Sequence, residues 1–218
     1  MIYRFVLMFI FSCIGVFSAN AGEVDSGLSP LVSAIISDDY DAAKRILNSR
    51  KSESETFKGS PVLLFALNPS CKPNFTKLLL QNGANPNARE VGTETTPTLE
   101  ALAQGNMKCI DLLIEHGGNV SLSDANGSGA AYKAVASGNL RAVELVASMG
   151  VDLDAPRADG TTSLMYAARA GEVDMVKYLL KSGADECRKN KHGMTPKGFV
   201  ELSKNSDSIA LFLKVCKP

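Results

Sequence analysis

Four glycines set at almost one interval constrain this chain more than any other feature. Gly83, Gly117, Gly150 and Gly183 recur at a step of about 33 residues. They open similar stretches, Gly-Ala-Asn-Pro, Gly-Gly-Asn-Val, Gly-Val-Asp-Leu and Gly-Ala-Asp-Glu. A second pattern keeps the step: Ala-Gln-Gly-Asn-Met-Lys at 103–108, Ala-Ser-Gly-Asn-Leu-Arg at 136–141 and Ala-Arg-Ala-Gly-Glu-Val-Asp at 168–174. A third is Thr96-Pro97, Thr162-Ser163 and Thr195-Pro196, with Thr162 two such steps after Thr96 and Thr195 one step further. A fixed period of this length means similar small units stacked in a row, each burying its apolar face on the next.

Within one unit the residues read as two helices. Thr at the N-cap satisfies an orphan amide, and Pro at the first helical position has no amide to satisfy. Small and apolar residues follow, as in Leu164-Met165-Tyr166-Ala167-Ala168. Gly105, Gly138 and Gly171 end that helix in the left-handed conformation. A second helix follows with apolar residues at i, i+3 and i+4, such as Val173, Val176, Leu179 and Leu180, or Met107, Ile110, Leu112 and Leu113. A polar, turn-rich connector leads to the next unit.

Period, Thr-Pro start, inter-helix glycine and Gly-Ala-Asp ending together resemble the ankyrin repeat. The segment from Asp159 to Asp185 carries the fullest set. The resemblance implies an all-α ankyrin-repeat solenoid of about six helix-turn-helix repeats with short β-turn connectors. In that register the repeats run at about 28–50, 58–90, 91–123, 124–156, 157–189 and 190–218, within a domain spanning 22–218. The first and last units lack the full pattern and read as end caps; Lys204 to Asp207 supply a polar turn in the last, and Ser49 to Glu55 a charged loop. The family's histidine two positions after the proline is replaced by Leu63, Leu99, Tyr132, Met165 and Gly198. Its hydrogen bonds between neighbouring turns are therefore expected to be missing, leaving looser hairpins. The second repeat carries two extra residues, with Pro69 and Pro73 between its helices, and that loop is expected to protrude.

The start of the chain differs from the rest. Arg4 precedes an unbroken, largely apolar run from Phe5 to Phe17, and Ala19-Asn20-Ala21 places small residues where a signal peptidase needs them. The pattern predicts a signal peptide over 1–21, cleaved before Gly22. A transmembrane helix would need about 20 apolar residues, more than this run provides. A lipid anchor at Cys13 fits less well, since Phe11 stands where a small residue is wanted. Removal of the leader leaves Cys71, Cys109, Cys187 and Cys216, an even number suited to an oxidising compartment, and none has C-x-x-C spacing for zinc or dithiol chemistry. By register, Cys71 falls in the extended loop of the second repeat and Cys109 near the start of the second helix of the third, where the extra loop residues would close most of the spacing between repeats. A bridge between Cys187 and Cys216 would pin the last cap. The alternative, for all four, is separate, unbridged thiols.

Charge and composition narrow the function. The formal net charge is zero, so no basic field exists to attract nucleic acid. The chain has two histidines. His116 stands at a helix end, an ordinary place to meet the helix dipole, and His192 stands at a connector tip; neither has a serine, cysteine or carboxylate in a catalytic relation. No catalytic site, metal or cofactor is expected. The resemblance implies a cupped surface with connector tips as fingers and first helices as palm. Its candidate partner-binding residues are Thr93, Thr95 and Gln104, with Gly92 beside them; Asn126 and Ser128, with Ser137; Asp159, Thr161 and Arg169; and Lys191, His192 and Met194, with Ser203.

These readings lead to a monomeric, non-catalytic module that binds a protein partner in the periplasm after export through the Sec pathway, without a stable membrane anchor once the signal is removed. The partner would be a toxic effector that it neutralises as an immunity protein, or a periplasmic enzyme that it supports. Extracellular release as an effector acting on host proteins is the alternative.

Overall fold

The computed structural model describes residues 29–49, 56–203 and 211–212. The expected leader at 1–21, the expected turn at Lys204–Asp207, Cys216 and most of the expected Ser49–Glu55 loop lie outside the described residues. Eleven described helices follow one another: α1 Pro30–Ile36, α2 Tyr40–Ser49, α3 Val62–Phe65, α4 Pro73–Gln81, α5 Pro97–Gln104, α6 Met107–Glu115, α7 Ala130–Ala136, α8 Leu140–Ser148, α9 Ser163–Ala170, α10 Val173–Lys181 and α11 Pro196–Ser203. One strand pair, β1 Thr56–Phe57 and β2 Ser60–Pro61, is antiparallel with Thr56 opposite Pro61 and Phe57 opposite Ser60. Its two-residue turn is Lys58-Gly59, both at positive φ, 50° and 82°, which matches the twist of a short hairpin.

The helices form two rows. Odd-numbered helices pack on one another, α1 on α3, α3 on α5, α5 on α7, α7 on α9 and α9 on α11. Even-numbered ones do likewise from α2 to α8, and each hairpin joins the rows. The inner row closes because Ala101, Ala134, Ala167 and Val200, which recur once per repeat, are fully buried and mostly small enough for close approach. Between the rows run Leu79, Leu113, Val146 and Leu179, each at most 1% exposed. Each such side chain contributes about 1.5–3 kcal/mol by leaving water, and none belongs to one unit alone.

Caps repeat with the helices. The hydroxyls of Ser29, Thr96, Thr162 and Thr195 accept from the amides of Val32 (3.2 Å), Leu99 (3.2 Å), Met165 (3.3 Å) and Gly198 (3.2 Å). Gly129 replaces the threonine in the fourth repeat and provides no side-chain cap for α7. Asn106 caps α6 and Asn139 caps α8, and the Asn139 amide also donates to the Gly105 carbonyl of the preceding repeat at 2.6 Å.

One expectation needs correction. The loop of the second repeat does not simply protrude. Asn68 to Ser70 are exposed, but Asn68 accepts from Gln104 of the next repeat at 3.0 Å, Cys71 faces Cys109, and Lys72 reaches the Ile35 carbonyl at 2.6 Å. The extra residues bind this loop to both neighbours and leave α3 only four residues long. Between the tips, the backbone supplies links that involve no histidine. The amides of Val91, Ala125, Ala158 and Lys191 donate to the carbonyls of Gly59, Thr93, Asn126 and Asp159 at 2.9–3.0 Å, one rung per pair of tips. Backbone groups carry this ladder, so none of its hydrogen bonds uses the side chain at the histidine position.

Candidate partner-binding face

Each tip is a short turn closed by its own first residue. Asp124 accepts the amides of Asn126 and Ser128, both at 2.9 Å, and pairs with Lys133 at 2.7 Å. Asn190 accepts those of His192 at 3.0 Å and Met194 at 2.9 Å. Burial disfavours the Asp124 carboxylate, but the Lys133 ammonium and the two amides outweigh it and hold its pKa below the ordinary aspartate range. The Thr161 amide does the same for Asp159.

The third tip is longer. Glu90 donates its amide to the Thr95 carbonyl, whereas the other tips close from Asp124 to Ser128, from Arg157 to Thr161 and from Asn190 to Met194, each one residue shorter. The extra residue is accommodated by Glu94 at φ 56°, which accounts for the longer step from Gly83 to Gly117. Arg89 steadies it, donating to the Glu94 carbonyl at 3.2 Å and to the Ser123 carbonyl of the next tip at 3.0 Å.

The fifth tip begins with Arg157, a residue the periodic pattern does not single out. Its Nε donates to Ser128 Oγ at 2.9 Å and its Nη1 to the Tyr132 hydroxyl at 3.4 Å. The guanidinium lies 4.8 Å from the centroid of that ring, and Tyr132 in turn meets Tyr166 edge-on at 5.3 Å. Burial pushes the Tyr132 phenol up, with Arg157 opposing it. Tyr132 thus fills the histidine position with a different lock between turns. Met165, in the same position one repeat on, is buried and its sulfur accepts the Thr162 amide at 3.5 Å.

The structure separates the expected contact residues into two groups. Thr93, Asn126, Arg169, Lys191 and His192 are exposed, and Gln104, Asp159, Thr161 and Met194 are half-buried. Thr95 and Ser128 are 9% and 3% exposed, so they are not open to a partner. Ser128 spends its hydroxyl on Arg157, and the Thr95 hydroxyl is enclosed without a hydrogen bond. Gln104 is partly engaged as well, donating to Glu100 at 3.1 Å and to Asn68 at 3.0 Å. Of the side positions, Gly92 is exposed, Ser137 is half-buried, and the Ser203 side chain lies outside the described residues.

Sequence reasoning missed a further column. Glu100, Lys133, Tyr166 and Phe199 recur once per repeat, three past the first position of each inner helix, and all are half-buried. The next open positions are Ala103, Ala136, Arg169 and Leu202. The small members of that series leave an open cleft of about 380 Å³, lined by Pro69, Ser70, Cys71, Gln104, Asn106 and Ser137 together with the two alanines. The Cys71 and Cys109 Cα atoms are 6.3 Å apart, at disulfide distance, so the bridge holds one wall of this cleft. Cys187 is also a disulfide cysteine; its expected partner Cys216 lies outside the described residues.

A family model described as ankyrin repeats in three copies matches residues 63–157, 100–190 and 150–214. The chain belongs to the ankyrin-repeat family. No curated protein matches it. Ankyrin repeats are protein-binding modules and the family is generally non-catalytic. His116 caps the end of α6, its Nδ1 2.8 Å from the Leu112 carbonyl. Among the described residues there is no group of three or more His, Cys, Asp or Glu able to hold a metal ion, and no helix long and apolar enough to cross a membrane.

Proposed function

We propose that this chain is an exported, disulfide-stapled binding module that works in the periplasm and covers a folded partner protein with its concave face. The partner is a toxic effector, which the module neutralises as an immunity protein, or a resident enzyme, which it supports as an accessory protein. The observation that carries the reading is the Cys71–Cys109 pair, which joins two adjacent repeats. Such a bridge persists where the compartment is oxidising, and the Arg4, Phe5–Phe17 and Ala19-Asn20-Ala21 pattern supports a route there. Export and stapling fit a binding surface that must hold its shape outside the cytosol.

Fractionation with non-reducing mass mapping tests location. The mature chain is expected in the periplasmic fraction, beginning at Gly22, with Cys71 joined to Cys109 and Cys187 to Cys216. Four free thiols, or retention in the cytosol, would overturn it. Capture of partners from the periplasm with the oxidised protein then separates the roles: a lethal protein whose toxicity the chain suppresses marks immunity, and an enzyme that loses activity without the chain marks support.

A further inference from the structure

The concave face changes character along its length. In the N-terminal half its polar side chains are used within the molecule: Glu100 accepts from Gln104 at 3.1 Å, and Lys133 is paired with Asp124 at 2.7 Å. Ala103 and Ala136 offer little to grip. In the C-terminal half the equivalent positions hold Tyr166 and Phe199, half-buried, then Arg169 and Leu202, exposed, with Leu202 at 70%. Because α9 packs directly on α11, these four share one stretch of palm. Lys191 and His192 stand exposed on the tip above it.

The charges there are unbalanced. Neither Arg169 nor Lys191 has a carboxylate partner among the described residues. Asp159 accepts the Thr161 amide at 2.9 Å and lies 3.9 Å from Arg157. Glu172 lies on the neighbouring hairpin turn toward Gly138. Glu201 occupies the position that Ala168 and Val135 bury in earlier repeats, outside the columns of Tyr166 and Arg169. The result is an aromatic and aliphatic floor with free cations at its edge. Aromatic and arginine side chains around a centre that can lose its water dominate binding energy at protein interfaces, and unpaired rim charges select the sign of what approaches.

We infer that this C-terminal half of the concave face, built on Tyr166, Arg169, Lys191, Phe199 and Leu202, is the anchor of the interface, and that the partner meets it with an acidic segment carrying a large apolar side chain. The inference rests on the reading of the chain as a protein-binding module and names the part that does the binding. The apolar side chain covers Leu202 and the neighbouring aromatic row, and carboxylates beside it pair with Arg169 and Lys191.

The test uses the full mature chain and three fluorescent probes of equal length: a peptide of Asp and Glu interspersed with Leu and Phe, the same peptide with Lys for each acid, and a single-stranded oligonucleotide. The acidic peptide is expected to bind, to weaken with added salt, and to shift the backbone amide resonances of Tyr166, Arg169, Phe199 and Leu202. Joint Arg169→Glu and Lys191→Glu substitution should weaken it by about tenfold or more, with melting unchanged. Lys177→Glu, on the exposed side of α10 away from the palm, should leave binding as it was. Tighter binding of the basic peptide or the oligonucleotide, no binding of any probe, or shifts centred on Gln104 and Ser137 would overturn the assignment. Equal capture of a periplasmic partner by the wild type and the double variant would move the anchor elsewhere and leave the binding function intact, whereas capture of none by either would remove that function.

Discussion

Gly127 and Gly150 share a left-handed backbone, with φ 71° and 80°, but a methyl group would meet different surroundings at each. At Gly150 a Cβ has nothing within 4 Å; at Gly127 it would lie 2.9 Å from the Ala158 nitrogen, the donor of a tip-to-tip rung. Gly150→Ala is therefore expected to cost about 1 kcal/mol, the left-handed strain alone, and Gly127→Ala about 2–3 kcal/mol because the rung must also move. Urea denaturation of the two variants at a common slope measures the difference. Asp124 gives a pH-dependent test at the same tip. Its folded pKa is lowered from 3.8 by Lys133 and the Ser128 and Asn126 amides against the opposing effect of burial. The stability it contributes is thus full above the unfolded value and lost as pH falls through the depressed folded one. Asp124→Asn should be about 1 kcal/mol less stable than wild type at neutral pH, and the gap should close in acid below about pH 4. Asp154 has the opposite sign, since burial outweighs Arg188 and raises its pKa; its charge works against folding as pH rises through that value, so it does not contribute to acid lability.

At the scale of elements, the loop between α3 and α4 depends on its bridge. It has a four-residue helix on one side, and the Cys71–Cys109 link closes 38 residues of chain. Joint Cys71→Ala and Cys109→Ala substitution is expected to cost about 2–4 kcal/mol, from the loop entropy returned to the unfolded chain. It should also open the Asn68–Lys72 segment to proteolysis, and limited digestion read by mass spectrometry locates the cut. Such elements show where the sequence could be read and where it could not. The caps at Thr96, Thr162 and Thr195 and the turns at Gly105 and Gly171 were legible because hydroxyl capping and left-handed glycine are local chemistry, complete within a few residues. The pairing of Cys71 with Cys109 was legible through the repeat register. The burial of Thr95 and Ser128 was not, since they occupy tip positions that differ from exposed Thr93 and Asn126 only in which neighbour folds over them. Arg157 was hidden for the same reason: its partners Ser128 and Tyr132 lie 29 and 25 residues away, and no spacing rule announces them. The open column of Glu100, Lys133, Tyr166 and Phe199 did carry a signal, its constant step of one repeat length. Periodicity alone, however, does not distinguish a palm from a seam at the fourth residue of a helix.

The whole molecule is a one-dimensional array, and its cooperativity should depend on where it is cut. Leu113 in α6 and Leu47 in α2 are both fully buried, yet one lies in the third repeat and the other in the first. An aspartate at either site buries a carboxylate at a cost of several kcal/mol and unfolds its own unit. Beyond that the outcomes diverge, because each repeat contacts only its neighbours and at least three are needed for a stable stack. Loss of the third repeat strands the first two, so Leu113→Asp should remove amide protection from 29 through the α6 region and lower the melting of the later repeats. Loss of the first leaves five repeats in contact. Leu47→Asp should therefore expose α1 and α2 alone, with α5 to α10 exchanging as in the wild type, apart from the ion pair and hydrogen bond by which Lys72 holds Asp38 and the Ile35 carbonyl. Hydrogen exchange followed by mass spectrometry resolves the two patterns. Equal, global loss of protection from both variants would mean that the chain unfolds as a single globule, and that the tip ladder and the shared leucine column couple the repeats over the full length of the stack rather than from neighbour to neighbour.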